Sequence, residues 1–130
     1  MAGKKPDKKE AFKMISGVYS ALTGLNAFQK KAESSANNTA NINTDGFKKT
    51  RVTLEDTKPQ GVKPNVERIE TPGPLVYEQT SEGKTLVEKS NVDLSYELPN
   101  MMLSRRFFQA NIKTIQIQDE MLGSLLDIKS

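Results

Sequence analysis

The chain has 130 residues, a net charge of +3, and neither His nor Cys. This excludes His- or Cys-ligated metal sites, Cys nucleophiles, Ser-His nucleophilic pairs and disulfides. Only 35% of the residues are hydrophobic and the mean hydropathy is −0.59, so we expect a single domain at most, with a shallow core.

A basic leader is predicted at residues 1–13. It contains the whole excess of positive charge, whereas the rest of the chain is neutral. We interpret it as a flexible, solvated tail, with a phosphate- or lipid-contacting arm as the alternative. A nucleic-acid module is disfavoured because the body carries no basic excess. No apolar region of a signal peptide follows the charged start, and no apolar run approaches the ~18–20 residues that span a bilayer.

A first helix is predicted from Met14, because apolar residues then recur at alternating steps of three and four. It should end near residues 37–41, where Asn residues crowd. We expect four of its residues to form the intrachain helix seam: Ile15, Val18, Leu22 and Leu25. Three small residues form a ridge beside that seam, either for close approach of a neighbouring subunit or as tolerated glycines: Gly17, Ala21 and Gly24.

The middle segment, residues 47–91, favours short strands and holds four of the six prolines. Residues 51–55 alternate in polarity, as a half-buried strand does. Residues 75–79 and 85–88 flank a short Gly-containing loop and predict a hairpin. A segment of this size buries little apolar surface on its own. We therefore expect two to four strands that are loosely packed or completed by a neighbour.

A second long helix is predicted from about Leu94, with Asp93 or Ser95 as its N-cap and Pro99 near its start. One apolar stripe is assigned to the intrachain seam: Phe108, Ile112, Ile115, Leu122 and Leu126. A second stripe is assigned to other subunits, or alternatively to covering the β segment: Ile117, Met121, Leu125 and Ile128. The expected fold is therefore mainly α with a small β segment (α+β). Its terminal helices, in 14–46 and 92–130, pair as an antiparallel coiled coil around a short Pro-rich β-hairpin region.

Two sequence blocks carry a family resemblance. The segments 16–25 and 36–48 resemble the N-terminal signature of bacterial flagellar axial proteins, which comprise rod, hook and hook-associated proteins. The segments 90–102, 106–111 and 119–126 resemble the C-terminal signature of the same family. The short middle segment is similar to that of the small proximal-rod members. The N-terminal block includes a turn motif, interpreted as a structured turn, an export-recognition surface or a plain polar loop: Asn37, Asn38, Asn41, Asn43, Thr44, Gly46 and Phe47.

The resemblance implies a non-enzymatic structural subunit of the flagellar basal-body rod. Such a subunit is exported by the flagellar type III apparatus without a cleaved signal. In the periplasmic part of the basal body it polymerises helically with copies of itself and other rod and hook proteins, and its terminal helices line the export channel. No cofactor, metal, nucleic acid or membrane insertion is expected. The alternative is a cytoplasmic coiled-coil adaptor or export chaperone, which the same heptads would serve.

Overall fold

The computed structural model describes residues 7–129, with side chains as far as Asp127. The chain is α+β, with two long helices and two small antiparallel sheets. The elements in chain order are α1 (Lys8–Ala40), β1 (Thr50–Asp56), β2 (Val62–Arg68), β3 (Leu75–Thr80), β4 (Gly83–Glu88) and α2 (Leu94–Lys129). Predictions about residues 1–6 and 130 lie outside the described residues.

Helix α1 begins at Lys8, earlier than the predicted Met14. The Asp7 carboxylate caps it by accepting a hydrogen bond from the backbone N–H of Lys9 at 3.2 Å, and Glu10 adds a negative charge to the first turn. Both features stabilise a helix N-terminus. Residues 8–13, predicted as leader, are therefore helical. The predicted end is confirmed, since α1 stops at Ala40 and Asn41 occupies the C-cap.

Helix α2 begins at Leu94, and Asp93 is its N-cap. The Asp93 carboxylate accepts hydrogen bonds from the hydroxyl of Ser95 at 2.7 Å and from its backbone N–H at 2.9 Å. These bonds lower the pKa of the Asp93 carboxyl. Pro99 lies inside the helix near its start, as predicted. Its missing N–H leaves the carbonyl of Ser95 without its helical donor.

Each sheet is a two-stranded antiparallel pair. Strands β1 and β2 pair from Thr50↔Arg68 to Asp56↔Val62 and pack on α1. Strands β3 and β4 pair from Leu75↔Glu88 to Thr80↔Gly83 and form a hairpin. In the described part of the chain, this hairpin packs on no other helix or strand. The prolines lie elsewhere: Pro64 is in β2, and Pro59, Pro72 and Pro74 are outside the strands.

The hydrophobic core is very small. Among the described residues, the buried hydrophobic side chains are those of Ala21, Ala27 and Val52. Buried polar residues outnumber them: Ser35, Asn38, Ser90, Glu97 and Ser104. Most large apolar side chains are exposed, so the fold of one chain leaves much of its apolar surface in contact with water.

Candidate assembly surface

Glycines of α1 bring the two helices close together. A Cβ atom at Gly24 would lie 2.8 Å from Oδ1 of Asn111, and one at Gly17 would overlap the side-chain amide of Gln118. Only glycine allows these α2 amides to lie against the α1 backbone. Ala21, between the two glycines, is also buried. The small-residue ridge predicted to contact other subunits therefore lies against α2 of its own chain.

A buried amide joins three elements. The Asn38 Nδ2 group donates to the Thr50 carbonyl at 2.7 Å and to Glu97 Oε1 at 3.1 Å. Its Oδ1 accepts from the backbone N–H of Thr50 at 2.9 Å. Asn38 is 1% exposed and Glu97 is 2% exposed. This cluster of Asn38, Thr50 and Glu97, the amide junction, fixes α2 and β1 relative to the end of α1. No such role was predicted for Glu97.

The contacts of α1 and α2 follow opposite chain directions. Phe28 stacks on Phe107 with ring centroids 5.0 Å apart and an interplanar angle of 20°. This pair lies between the Gly24–Asn111 contact and the amide junction, and residue numbers rise along α1 by the same amount as they fall along α2. The helices therefore keep one register from Gly17 to the amide junction.

The α2 face toward α1 alternates polar and apolar residues. Its polar members recur every seven residues and are Glu97, Ser104, Asn111 and Gln118. Its apolar members are half-buried: Met101, Phe108, Ile115 and Leu122. A seven-residue spacing keeps both sets on one helix face. Three of the predicted seam residues thus lie at the helix contact, whereas Ile112 and Leu126 are exposed.

The seam of α1 is displaced by one residue from its predicted position. Ile15 and Leu22 are exposed, Val18 and Leu25 are half-buried, and Ala21 is buried. The small side chains permit a closer helix approach than Ile or Leu would allow. A seam predicted only from the large apolar residues of α1 is therefore shifted toward the helix face that points away from α2.

That outward face is an exposed apolar stripe. It consists of Phe12 (72% exposed), Ile15 (62%), Tyr19 (53%) and Leu22 (51%), here called the outer stripe. Their spacing of three and four residues places them on one helix face, opposite the buried Ala21. Contiguous exposed apolar surface marks an interaction site. The outer stripe is therefore the candidate interaction surface of α1.

Helix α2 also exposes apolar residues away from α1. Ile117 and Met121, both assigned to subunit contacts, are each 47% exposed, and Leu125 is half-buried. The side chain of Ile128 lies outside the described residues. These residues do not cover the β segment, because in the described chain the β1–β2 sheet packs on α1 and neither sheet packs on α2.

The predicted turn motif forms a hydrogen-bonded turn after α1. Asn41 Nδ2 donates to the Asn37 carbonyl at 2.9 Å, and the Thr44 hydroxyl donates to Asn41 Oδ1 at 3.1 Å. Gly46 has a φ of +67°, and the Phe47 N–H donates to the Thr44 carbonyl. Asn37 and Asn43 are exposed, in contrast to Asn38. The geometry is thus that of an ordered turn.

The β3–β4 hairpin is held by ion pairs at its base. Glu88 accepts from Lys48 Nζ and, at 3.0 Å, from the backbone N–H of Gly73. Lys89 donates to Asp45 at 2.8 Å and to Glu78. The hydrogen bond from Lys48, followed by that from Gly73, lowers the pKa of the Glu88 carboxyl. The hydrogen bonds to Asp45 and Glu78 raise the pKa of Lys89.

The hairpin anchor should weaken in acid. The folded pKa of Glu88 is below its ordinary value of 4.5, so its contribution is fully present above that pH and is lost as the pH falls through the folded pKa. We expect a lower protection factor against amide hydrogen exchange at Gly73 below about pH 4.5, measured relative to the intrinsic exchange rate at each pH. Glu88→Gln should remove most of this pH dependence, and the turn variant Glu82→Gln should retain it. Equal acid sensitivity in Glu88→Gln and the parent chain would contradict the assignment.

The described residues contain no group of three or more acidic side chains placed to hold a metal ion. No helix among them is long and apolar enough to cross a membrane. The features that remain are the helix pair, its exposed apolar faces and the anchored hairpin.

Comparison with known proteins matches both ends of the chain to one family. Residues 18–48 match the flagella basal body rod protein family, and residues 85–128 match the flagellar basal body rod FlgEFG protein C-terminal family. The matched blocks include Gly24 and Asn111 of the helix contact and Asn38 and Glu97 of the amide junction, whereas Gly17 and Thr50 lie just outside them. The chain belongs to the flagellar rod and hook protein family.

Individual relatives agree with this assignment. The chain is 45% identical over 49 residues to the flagellar basal-body rod protein FlgG of Bacillus subtilis, covering 38% of this chain and 19% of the relative. It is 46% identical over 43 residues to the flagellar hook protein FlgE of Escherichia coli, covering 33% and 11%. The match to FlgE of Treponema pallidum is 35% over 78 residues, covering 58% and 16%. The matched parts are thus a fifth or less of each relative.

Proposed function

We propose that this flagellar-family chain is a structural subunit of the basal-body rod that polymerises through its two terminal helices. Its partners would be copies of itself and other rod and hook proteins. In this proposal the α1–α2 pair acts as an antiparallel coiled coil that forms the wall around an export channel. The subunit would reach the periplasm through the flagellar export apparatus without a cleaved signal. Residues 37–47 would then be the turn that leads from the inner helix pair to the outer segment.

The observation that carries the proposal is the exposed apolar surface of the two helices, each of which a flagellar family model matches in part. The outer stripe lies on α1, and Ile117 and Met121 lie on α2. Within residues 7–129 no other element covers them, because the β1–β2 sheet packs on α1 alone and the β3–β4 hairpin packs on neither helix. Complete burial of a fully exposed side chain of this size contributes about 1.5–3 kcal/mol, and these side chains have about half of their surface left to bury. Neighbours that covered all of them would still stabilise the helix pair by several kcal/mol in total, on the order of 1 kcal/mol per side chain. Folding would then be coupled to assembly.

Purification of hook–basal-body particles tests the proposal. We expect this chain in the particles at a fixed ratio to the other rod proteins, measured by mass spectrometry. A chain that is absent from the particles and remains soluble in the cytoplasm would contradict the rod assignment and favour the adaptor or export chaperone. Such an adaptor would be a helical dimer when free.

Substitution of the outer stripe tests the assembly surface. We expect Tyr19→Asp and Leu22→Asp to prevent incorporation into basal bodies and to abolish motility, because each places a charge where a neighbour would bury apolar surface. The free chain should lose only about 1 kcal/mol of stability, since both side chains are already half-exposed and Asp has a somewhat lower helix propensity. Thr53→Asp is the control, because Thr53 is exposed on β1 and lies outside the outer stripe. Normal motility in both stripe variants would exclude the outer stripe from assembly. On α2, Met121→Asp and Leu125→Asp give the corresponding test.

A further inference from the structure

An apolar groove crosses one end of the helix pair. It has a volume of about 720 Å³ and is formed by the start of α1 and the second half of α2. Its apolar lining consists of Met14, Ile117, Met121 and Leu125, and its polar rim of Glu10, Lys13, Glu120 and Ser124. The rim therefore carries two carboxylates against one ammonium group, a net negative charge beside an apolar floor.

The first half of α2 carries a patch with the opposite character. Met102 is 62% exposed, Leu103 is 51% exposed, and the neighbouring Arg106 is exposed. Steps of three and four residues place Arg106 on the same helix face as Met102 and Leu103. These three residues, here called the arginine patch, combine two apolar side chains with a guanidinium group. Arginine with apolar neighbours is typical of interface cores.

We propose that the arginine patch of one copy binds in the groove of a second copy of this chain. Met102 and Leu103 would lie on the apolar floor near Met121, and Arg106 would pair with Glu10 or Glu120. The groove carboxylates would orient the contact. They would also disfavour other partners whose apolar surface carries no positive charge. This inference rests on the proposed function, because it specifies which surfaces meet when copies assemble.

The position of the two surfaces makes the contact open-ended. The path along α2 from Arg106 to Met121 measures about 22 Å at 1.5 Å per residue. Each copy in a row would therefore have an arginine patch and a groove at different positions along α2. Successive copies with parallel α2 helices would be displaced along the helix axis by about 22 Å. Two different surfaces in contact form a heterologous interface, which extends into a filament when it does not close. If the groove of one copy were instead occupied by a residue close to the groove of the second copy, such as Phe12, a two-fold axis would relate the two copies. Assembly would then end at a dimer.

Disulfide trapping tests the contact, since the chain has no Cys of its own. The probes are Ala110→Cys, one turn beyond Arg106, and Ser124→Cys in the groove, because both preserve the charges and the large apolar side chains. Under mild oxidation we expect a mixture of the two single variants to form a cross-linked dimer, and the double variant to form a ladder. Mixtures with Thr53→Cys, an exposed position on β1, give the background.

Charge exchange provides an independent test. We expect Arg106→Glu and Glu120→Arg each to raise the concentration for half-maximal assembly by about tenfold, because like charges then face each other. An equimolar mixture of the two variants should restore assembly, since every contact in an alternating chain again joins Arg to Glu. The controls Arg105→Glu and Asp119→Arg reverse neighbouring exposed charges and should remain near the parent value. Arg105 lines a different groove, beside Phe28 and Ala32.

The outcomes separate this inference from the function on which it rests. Cross-linking of Ser124→Cys to itself would show a two-fold dimer and overturn the head-to-tail contact. Assembly in light scattering and presence in basal bodies, without an Ala110→Cys to Ser124→Cys cross-link, would overturn the contact and leave the rod function intact. A chain that stays monomeric and is absent from basal bodies would overturn both.

Discussion

Asn38→Ala should be the most damaging single substitution in the free chain, with a loss of about 3 kcal/mol in the free energy of unfolding. It removes the hydrogen bonds that the Asn38 side chain makes to the Thr50 backbone and to Glu97. The Glu97 carboxylate would stay buried without its amide donor, and the backbone N–H of Thr50 would lose its side-chain acceptor. The Thr50 carbonyl would keep the Ser34 hydroxyl as a donor at 3.2 Å. Removing one partner of a buried polar cluster costs more than removing an exposed contact, because the groups left behind are desolvated.

The expected measurement is urea unfolding followed by circular dichroism. With three buried hydrophobic side chains in the described core, the chain has little stability in reserve, so Asn38→Ala should show loss of helix even without denaturant. Asn43→Ala is the matched control, because Asn43 is exposed in the same Asn-rich block. Equal midpoints for the two variants would show that the amide junction does not hold α1, α2 and β1 together.

Gly24→Leu should be the second most damaging substitution, lowering the free energy of unfolding of the free chain by about 2–3 kcal/mol. A Cβ alone at Gly24 would lie 2.8 Å from Asn111 Oδ1, so a branched side chain must separate the helices. Separation would also weaken the Phe28–Phe107 stack one turn away. Gly24→Ala should be milder, because a gain in helix propensity of about 1 kcal/mol offsets part of the overlap.

Gly123 provides the control for the glycine argument. It lies inside α2, and a Cβ there would meet no atom within 4 Å. We therefore expect Gly123→Ala to stabilise the chain by about 0.5–1 kcal/mol, in the direction opposite to Gly24→Leu. If Gly24→Leu and Gly123→Leu had the same midpoint in urea, close approach of the helices at Gly24 would be excluded.

Helix ends were predictable from sequence where a local interaction sets them. Asp93 caps α2 and the Asn residues end α1, since both effects involve side chains within a few residues of the backbone groups they satisfy. The start of α1 was missed because Asp7 and Glu10 were counted as charges of a leader rather than as an N-cap and a first-turn acid.

The helix contact could be predicted only in part. Phe108, Ile115 and Leu122 follow the expected stripe, but Gly24 and Asn111 lie at the same contact and leave no apolar signal. Apolar periodicity identifies a face that avoids water and does not say whether the same chain or another one covers it. A signal was nonetheless present in the seven-residue recurrence of polar residues from Glu97 to Gln118.

The composition of the helix contact also determines how assembly should respond to temperature. Because the apolar side chains of the α1–α2 contact alternate with glycine, alanine and polar residues and stay only half-buried, folding of one chain buries little apolar surface and should have a small heat-capacity change. The outer stripe and the exposed residues of α2 would contribute that change on association instead. Hydrophobic association weakens on cooling. Polymers of this subunit should therefore lose their contacts in the cold before the helix pair within each subunit does.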